Sequence, residues 1–410
     1  MVRPGDGCPP GRRVANLIMG LGVYPFLVAA WAALVLPWDW TTSAAVVLLA
    51  ACLGVIYVEN RPKGNLLALA VTVGASAAVA LSHHVGLLYL AWIVSGGALT
   101  ALVRKEGGET SGKPGRILEV QQHVASVVLF ALLTAMVVAG RQWRFPAAGS
   151  GMPAEPIHRM LAEAGVRHGE RIWKGLVAAV IAVTAALRLG LFPFPFSLRR
   201  SARRLHGIPL LGLLAVFLPT SLVALARIHF AFHDNAGGLL PVSIAALGCI
   251  ALVTGALWLQ VEWLIESVLG QVAQCYMGLA LLSIGFDDKD LVTRVVAQAA
   301  VALIAGGVWS MRVRATLQTS DLAKVGEGYR RHRELAASHA VFVVLAAPLP
   351  GTPGGQVWMG ILGQSVASGT GLGLVVVAGV ILVYCALFRS VTKAASQFRS
   401  SHDGCTQLPS

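Results

Sequence analysis

Residues 173–198 read WKGLVAAVIAVTAALRLGLFPFPFSL, an apolar run that ends in two closely spaced prolines, Pro193 and Pro195. An α-helix needs roughly 20 apolar residues to cross the hydrocarbon core of a membrane, and residues 173–196 supply that length. Proline removes a backbone donor and clashes with the preceding turn, so the run predicts a membrane helix that breaks near residues 188–197. Broken backbone persists in a membrane only where protein or water satisfies the freed polar groups.

The composition of the whole chain extends this reading. Of its 410 residues, 56% are hydrophobic and 12% are charged, and the mean hydropathy is +0.71. Soluble domains carry about 25% charged residues, so this chain has too few charges to cover a surface that faces water. We therefore predict an all-α polytopic membrane protein with about twelve transmembrane helices, and we exclude a soluble enzyme.

Apolar runs of this kind recur along the chain. They lie near residues 14–36, 42–58, 64–82, 84–103, 117–139, 173–196, 207–228, 238–260, 262–285, 291–311, 336–350 and 366–388. A single transmembrane domain is therefore predicted over residues 14–390, between an N-terminal tail (1–13) and a C-terminal tail (391–410). Segment 140–172 interrupts the series with five arginines and three glutamates, and a helix on the membrane surface is one reading of it.

The formal net charge of +13 comes from basic residues that lie mostly between the apolar runs. Basic loops favour the cytoplasmic side of a membrane. Segments 104–116, 197–206 and 312–335 and the tail after residue 388 are all basic, which predicts an inner (plasma) membrane protein with both termini in the cytoplasm. Because no pattern of aromatic residues accompanies the charge, we exclude nucleic-acid binding.

The cysteines carry no signal of a cofactor. None of the six forms a Cys-x-x-Cys pair, and four lie inside apolar runs, where a thiol behaves as a small hydrophobic group. We predict no disulfide framework, zinc site, iron–sulfur site or other cofactor. No hydrolytic Ser-His-Asp arrangement is evident either, so the chain is not expected to be catalytic alone.

A few polar residues inside the runs are candidates for an ion path. Arg188 lies one turn before the proline break, where an intramembrane cation indicates either an ion path or an arginine that reaches towards a helix end. Glu262 and Glu266 are four residues apart and share a helix face. Gln271 and Gln274 extend that polar stripe. If a helix boundary falls at Glu262, the two glutamates are surface residues instead.

Two further polar groups have simpler interpretations. Arg227, His229, His233 and Asp234 cluster near a helix end, and the two histidines have the spacing of a metal pair. No third ligand is evident, so hydrogen bonding at an interface is the favoured reading. Residues 121–123, Gln-Gln-His, follow Glu119, and we expect them to cap a helix or to contact another subunit.

The segment around the break resembles the antiporter-like subunits of proton-pumping NADH:quinone oxidoreductase (respiratory complex I). The same superfamily includes Mrp-type cation/proton antiporters, membrane-bound hydrogenase subunits and membrane subunits of inorganic-carbon uptake complexes. Its pattern is Lys-x-x-x-Phe-Pro-Phe-His in a broken helix. Arg188 occupies the lysine position, residues 192–194 match Phe-Pro-Phe, and Pro195 replaces the histidine.

Other segments resemble the family in the same order along residues 85–390. Trp92-Ile93 stands where the family has Trp-Glu, and residues 262–278 resemble its Asp-x-Lys-Arg…Gln-Met-Gly-Tyr pair of helices. Gln298 and Ala302 align with a His-x-x-x-Lys helix. Residues 348–355, with Pro350 and Pro353, resemble a late helix break, after which Trp358 stands at an ionisable position.

This resemblance implies a subunit of a proton- or cation-translocating complex, embedded in the lipid bilayer beside other membrane subunits and a soluble partner. The implied ion path comprises Arg188, Glu262, Glu266, Gln274, Arg227 and His229. Several titratable positions of the family are apolar here, and arginine stays protonated near neutral pH. The alternative is therefore a non-conducting scaffold that anchors a soluble redox arm or an inorganic-carbon hydrating enzyme.

Overall fold

The computed structural model describes residues 71–79 in part and residues 85–107, 112–138, 167–191, 195–205, 207–236 and 239–403. The spans predicted near residues 14–36 and 42–58 lie outside these ranges, as do most of span 64–82 and residues 140–166 of the basic segment. Within the described ranges every regular element is a helix, and the single β-bridge joins Leu264 to Asp321. The predicted all-α membrane fold is confirmed.

Thirteen α-helices and one π-helix make up the described part of the chain. They are α1 (Val85–Gly107), α2 (Gly112–Val138), α3 (Arg167–Leu189), α4 (Pro195–Arg204), α5 (Ile208–Leu211), π1 (Gly212–Phe217), α6 (Leu218–Ala236), α7 (Leu239–Leu259), α8 (Ile265–Gly285), α9 (Lys289–Leu317), α10 (Leu322–Arg331), α11 (Arg333–Ala346), α12 (Pro353–Ser368) and α13 (Thr370–Asp403).

Five of the described stretches are long and apolar enough to cross a membrane. They are Pro209–Phe230, Leu239–Leu259, Ile265–Gly285, Lys289–Leu317 and Gly371–Thr392, and the shorter apolar stretches Leu88–Ala101 and Gly175–Leu189 accompany them. The chain is therefore a multi-pass membrane protein. Its predicted division near residues 260–262 agrees with the end of α7 at Leu259 and the start of α8 at Ile265.

The centre of the bundle is formed by α6, α8 and α9, which are buried along most of their length. Helices α7 and α13 lie outside them and present apolar side chains to the surroundings, among them Leu257 and Ile381. Helices α7 and α8 approach each other closely at Gly248, where an added Cβ would lie 2.8 Å from the carbonyl oxygen of Gly278. Small residues permit such close contact between membrane helices.

The predicted spans near the end of the chain needed correction. Helix α11 ends at Ala346, and residues 347–352 form the expected break before α12 begins at Pro353. The span predicted at residues 366–388 contains a second boundary, because α12 ends at Ser368 and Gly369 adopts a φ of 154°. Helix α13 then continues to Asp403. Ser368 and Thr370 flank this boundary, but the prediction included them in one apolar run.

Two segments predicted as basic loops are short helices. Residues 197–206 contain most of α4, and residues 312–335 contain the end of α9 and the whole of α10. The Asp321 carboxylate accepts a hydrogen bond from Ala323 N (3.0 Å) and so caps the first turn of α10. Backbone hydrogen bonds from Leu322 N to Trp263 O and from Ile265 N to Ser320 O, both 2.9 Å, place the start of α10 beside the α7–α8 connection.

Candidate functional site

Arg188 lies in the last turn of α3, directly before the first helix break, and its surface is 2% exposed. Gly190 ends the helix with a φ of 65°, a conformation that glycine adopts without steric cost. The next helix starts at Pro195, and Pro193 lies outside the described residues. The break therefore leaves the Arg188 guanidinium inside the bundle, and the side chain does not extend to its surface.

Four hydrogen bonds hold the guanidinium, and all four acceptors are neutral. Nη1 donates to Gln122 Oε1 (2.7 Å), and Nη2 donates to Ser95 Oγ (2.7 Å) and to the carbonyl oxygen of Trp92 (3.0 Å). Nε donates to Ser221 Oγ over a longer distance of 3.4 Å. These acceptors come from α1, α2 and α6, so one side chain joins four helices.

Two aromatic rings cover the guanidinium. Its central carbon lies 4.3 Å from the ring centroid of Trp92 and 4.4 Å from that of Phe217. Phe217 is the last residue of π1, a helix type that is frequent at functional sites. A cation over an aromatic face gains about 2 kcal/mol or more where water is excluded.

No carboxylate contacts Arg188 among the residues that the structure describes. A buried cation without a counter-charge is costly unless hydrogen bonds and ring contacts replace its hydration. The neutral acceptors and the two rings supply that replacement here. Arg188 is therefore a permanent positive charge that neutral groups solvate inside the bundle.

Gln122 has a different position from the one expected. Helix α2 begins at Gly112, so residues 121–123 lie well inside it and do not cap its start. Besides accepting from Arg188, Gln122 donates from Nε2 to the Arg188 carbonyl oxygen (3.2 Å), a group that the end of α3 leaves without a helical partner. Ile93, which stands at the family's glutamate position, is exposed on the outside of α1, whereas its neighbour Trp92 faces Arg188.

A second polar cluster lies at the break between α11 and α12. Its centre is Tyr276 on α8, whose hydroxyl donates towards the carbonyl oxygens of Leu345 (3.2 Å) and Ala346 (3.3 Å). Gln298 on α9 donates from Nε2 to the same Leu345 oxygen at 2.5 Å. The freed carbonyl groups of the broken helix are thus bound by side chains of the two central helices. Trp358, at the position the family fills with an ionisable group, is buried in α12.

Glu262 lies in the connection between α7 and α8, and it is 3% exposed. Arg199 of α4 forms an ion pair with one carboxylate oxygen, and Arg203 Nη2 lies 2.8 Å from the other. Burial acts to raise the pKa of this carboxyl, but the hydrogen bonds from Arg203 and Ser267 and the charges of both arginines outweigh it and lower the pKa. Glu262 is therefore held as a paired carboxylate at the end of the bundle.

Two other polar residues of the α8 stripe, Glu266 and Gln274, have separate partners. Glu266 is buried in the first turn of α8, and its Oε1 lies 3.5 Å from Nη1 of Arg314. Gln274 donates from Nε2 to Thr254 Oγ1 on α7 (2.8 Å). A glutamate at a helix start is stabilised by the helix dipole, which fits Glu266 as a charge at the end of a span.

Arg227 and His229 occupy neighbouring positions on α6. Arg227 donates from Nη1 to the carbonyl oxygen of Val79 (3.0 Å), and His229 is buried with Nε2 3.5 Å from Asp287 Oδ1. Asp287 lies in the turn after α8 and has a φ of 59°. The side chains of His233 and Asp234 lie outside the described residues.

The structure thus distributes the six candidate path residues over separate sets of partners. Arg188 forms no hydrogen bond or ion pair with Glu262, Glu266, Gln274, Arg227 or His229. The partners that do surround the two breaks were not predicted, namely Ser95, Gln122, Ser221, Tyr276 and Gln298. Single polar residues inside long apolar runs were the available signal for them, since such residues are costly in lipid unless they face the bundle interior.

Comparison with known proteins gives the fold independently. The sequence matches no family model and no curated protein. A chain of the membrane-bound sulfane sulfur reductase, an archaeal respiratory membrane complex, is 14% identical with a TM-score of 0.71 over 85% of this chain and 57% of its own length. A chain of respiratory complex I from Thermus thermophilus is 15% identical with a TM-score of 0.70 over 87% of this chain and 74% of that one.

A chain of the Mrp complex from Dietzia sp. DQ12-45-1b is 12% identical, with a TM-score of 0.67 over 93% of this chain and 75% of that one. This chain therefore spans a little over half of the sulfane sulfur reductase chain and about three quarters of the other two. Two of the three, complex I and the Mrp complex, are among the complexes that the sequence motifs resemble. The chain therefore has the fold of these membrane chains from the sulfane sulfur reductase, complex I and Mrp complexes, with a sequence only 12–15% identical to theirs.

Proposed function

We propose that the chain is an antiporter-like subunit of a multi-subunit, ion-translocating membrane complex, in which it serves as a non-conducting scaffold. The observation that carries the non-conducting role is the surroundings of Arg188. A relay site must gain and lose a proton during transport, whereas an arginine keeps its proton near neutral pH. Four neutral acceptors and two rings hold this arginine in one position.

The second break supports the same role. Proton paths in membrane proteins run through chains of Asp, Glu and His side chains. The side chains that bind the freed carbonyl groups at this break are Tyr276 and Gln298, which carry no charge. They satisfy the broken backbone but do not supply a group that exchanges protons readily at neutral pH.

The two carboxylates of the predicted path also favour a structural role. Glu262 and Glu266 lie at the end of the spans, where Arg199, Arg203 and Arg314 pair with them. The ion pairs of Glu262 lower the pKa of that carboxyl and so oppose its proton uptake. These pairs join α4 and α9 to the start of α8 and strengthen that end of the bundle.

Assembly with other subunits is proposed from the fold and from the exposed apolar faces. The three similar chains come from multi-subunit membrane complexes. Apolar side chains on α1 and α2, such as Leu90, Val127 and Phe130, are available to lipid or to neighbouring membrane subunits. A soluble partner, either a redox arm or an inorganic-carbon hydrating enzyme, would dock at one end of the bundle.

The proposed location is the plasma membrane with both termini in the cytoplasm. Basic side chains of α4, the end of α9 and α10 lie at the same end as Glu262, which fits the preference of basic segments for the cytoplasmic side. Labelling of a single cysteine introduced at Lys324, in intact cells and in inverted vesicles, tests the orientation. Labelling in inverted vesicles alone agrees with the proposal, and labelling in intact cells contradicts it.

Proton conduction by this chain is the second candidate. Ser95, Gln122 and Ser221 form a polar surround at the first break, and His339 on α11 is a buried titratable side chain whose Nε2 lies 3.2 Å from Ser390 Oγ. Polar and titratable groups inside a bundle are the parts from which ion paths are built. Conduction would connect these two places through the centre of the molecule.

Proton flux into vesicles separates the two candidates. The full chain is reconstituted in lipid vesicles containing a pH-sensitive dye, and flux is driven by a potassium diffusion potential. A non-conducting subunit gives the flux of empty vesicles, with no change in Arg188→Met, Glu262→Gln or His339→Leu. Flux above that background, lost in Arg188→Met but kept in the surface control Glu334→Gln, would establish conduction.

A further inference from the structure

One end of the bundle carries an exposed tryptophan beside one cation and close in the backbone to a second. Trp263, in the α7–α8 connection, is 48% exposed. The Arg389 guanidinium of α13 lies 5.8 Å from the centroid of its ring. The Trp263 carbonyl accepts from Leu322 N (2.9 Å), which places the first turn of α10, with its exposed Lys324, beside the same tryptophan.

Lys324 and Arg389 differ from the other cations at this end of the bundle in their partners. Arg199, Arg203 and Arg314 each pair with a glutamate. Neither the Lys324 ammonium nor the Arg389 guanidinium has a carboxylate partner in the part of the chain that the structure describes. Asp321, three residues before Lys324, binds Ala323 N through its carboxylate (3.0 Å) as the cap of α10. Two positive charges therefore remain available to an anion.

Apolar side chains lie near Lys324 and Arg389 in the direction of the transmembrane helices. Val261 is exposed beside Trp263, and Tyr384 and Phe388 are exposed on α13 within the turn or two before Arg389. Exposed tryptophan and tyrosine side chains are typical of the boundary between the hydrocarbon core and the headgroups, and basic pockets between membrane helices bind anionic headgroups. A ligand that fits this site has an anionic group near Lys324 and Arg389. It also has a hydrocarbon part that contacts Val261 and Phe388.

We propose that Lys324, Arg389 and Trp263 form a binding site for the headgroup of an anionic phospholipid. The phosphate binds between the ammonium and the guanidinium, and the glycerol backbone and the acyl chains lie along Trp263 and the exposed face of α13. The bound lipid joins α10, the α7–α8 connection and α13 from outside. It therefore stabilises the packing of α10 against the membrane spans.

The test uses the purified full chain in dodecyl maltoside, to which phosphatidylglycerol or the zwitterionic phosphatidylcholine is added in equal amounts. Thermal unfolding is followed by tryptophan fluorescence, and retained lipid is counted by native mass spectrometry. We expect phosphatidylglycerol to raise Tm and to remain bound as one adduct. Because each basic residue near an anionic surface contributes about fivefold in affinity, Lys324→Gln with Arg389→Gln weakens binding about 25-fold.

Three controls make the result specific. The exchange variant Lys324→Arg with Arg389→Lys keeps both charges, and it retains the adduct and the Tm shift if the site is correct. Arg312→Gln at the end of α9 and Arg333→Gln at the start of α11 each remove one cation outside the site, and they leave both readouts unchanged. Inorganic phosphate, which lacks the hydrocarbon, produces no comparable shift.

Four outcomes would overturn the proposed lipid site. An unchanged phosphatidylglycerol shift in the double glutamine variant overturns the proposal. Equal losses in Arg312→Gln and Arg333→Gln would assign the effect to diffuse surface charge, and a full shift with inorganic phosphate would assign it to a free anion. Binding of an acidic soluble protein that persists in saturating phosphatidylglycerol and is lost in the double variant would assign the surface to protein docking instead.

Discussion

Arg188 and Gln122 bind each other through two hydrogen bonds that run in opposite directions. The guanidinium donates to Gln122 Oε1 (2.7 Å), and Gln122 Nε2 donates to the Arg188 carbonyl oxygen (3.2 Å). One glutamine therefore satisfies both the buried charge and the backbone group that the helix break exposes. The pair fixes the end of α3 against the middle of α2 and makes Arg188 part of the packing of the bundle.

Replacing Gln122 with leucine should destabilise the chain strongly. The substitution leaves a guanidinium donor and a carbonyl oxygen buried without partners, which costs about 2–4 kcal/mol. The matched control is Gln121→Leu, because Gln121 is also buried on α2 and its Oε1 has no hydrogen-bond partner among the described residues. Thermal unfolding in detergent should show a much larger fall in Tm for Gln122→Leu. Equal changes in both variants would refute the role given to this pair.

Gly96 and Gly97 on α1 provide a steric test of the same site. A Cβ at Gly96 would lie 2.7 Å from Arg188 Nη1, whereas a Cβ at Gly97 would have nothing within 4 Å. Because four hydrogen bonds fix the guanidinium, Gly96→Ala should cost about 1–3 kcal/mol through overpacking. Gly97→Ala should be neutral or stabilising by up to about 1 kcal/mol, since alanine is the better helix former. The difference in Tm between the two variants is the measurement, and a tolerated Gly96→Ala would mean that the guanidinium can move.

The Tyr276 hydroxyl should contribute to stability through the break between α11 and α12. Tyr276→Phe removes the donor to the carbonyl oxygens of Leu345 and Ala346, and it should cost about 1–2 kcal/mol. Tyr384→Phe makes the same chemical change on the exposed face of α13 and should be almost silent. Hydrogen exchange by mass spectrometry provides the local readout, with faster exchange in residues 345–356 expected only for Tyr276→Phe. Similar exchange in both variants would show that Gln298 alone holds the break.

The Glu262 ion pairs predict a specific dependence of stability on pH. Arg203 and Arg199 hold the pKa of this carboxyl below its ordinary value of 4.5, in spite of burial, so the folded state binds the proton more weakly than the unfolded state. The resulting stability is complete above that ordinary value and is lost as the pH falls through the lowered pKa of the folded state. Glu262→Gln should therefore be less stable than the native chain at pH 7, by about 1–3 kcal/mol.

The Tm of Glu262→Gln should approach that of the native chain at acidic pH. As the pH falls below 4.5 and through the lowered pKa of the folded state, the difference in Tm should shrink, because both chains come to carry a neutral group at this position. Glu334→Gln, an exposed position on α11, serves as the control and should show no such convergence. The lowered pKa would be contradicted if the difference in Tm between Glu262→Gln and the native chain stayed constant from pH 7 to acidic pH.

Much of the fold could be read from the order of apolar and charged residues. The apolar runs gave the spans from residue 84 to residue 311 to within about eight residues at each end, and the prolines at 193, 195, 350 and 353 marked both breaks. Such features are local, because the length of an apolar run and the position of a proline act on the helix that contains them. The helical nature of α4 and α10 was missed, since polar surface helices resemble loops in composition.

The partners of Arg188 could not be derived in this way. Ser95, Gln122 and Ser221 are separated from it by 93, 66 and 33 residues, and only the packing of α1, α2 and α6 around α3 brings them together. The predicted ion path, which includes both Arg188 and Glu262, also shows that sequence does not give the partners of a buried charge. Both are buried and charged, yet one lies at the break among neutral groups and the other at the end of the spans among arginines.

The sequence by itself determined that the helices lie in lipid, because composition and the length of the apolar runs decide whether a segment is more stable in lipid or in water. It also determined where the helices break, because proline acts on its own turn. The tertiary structure alone decided which polar groups meet, since a buried charge is satisfied by whatever side chains the neighbouring helices present at its depth. That choice made Arg188 a charge solvated by neutral groups and made Glu262 a paired carboxylate.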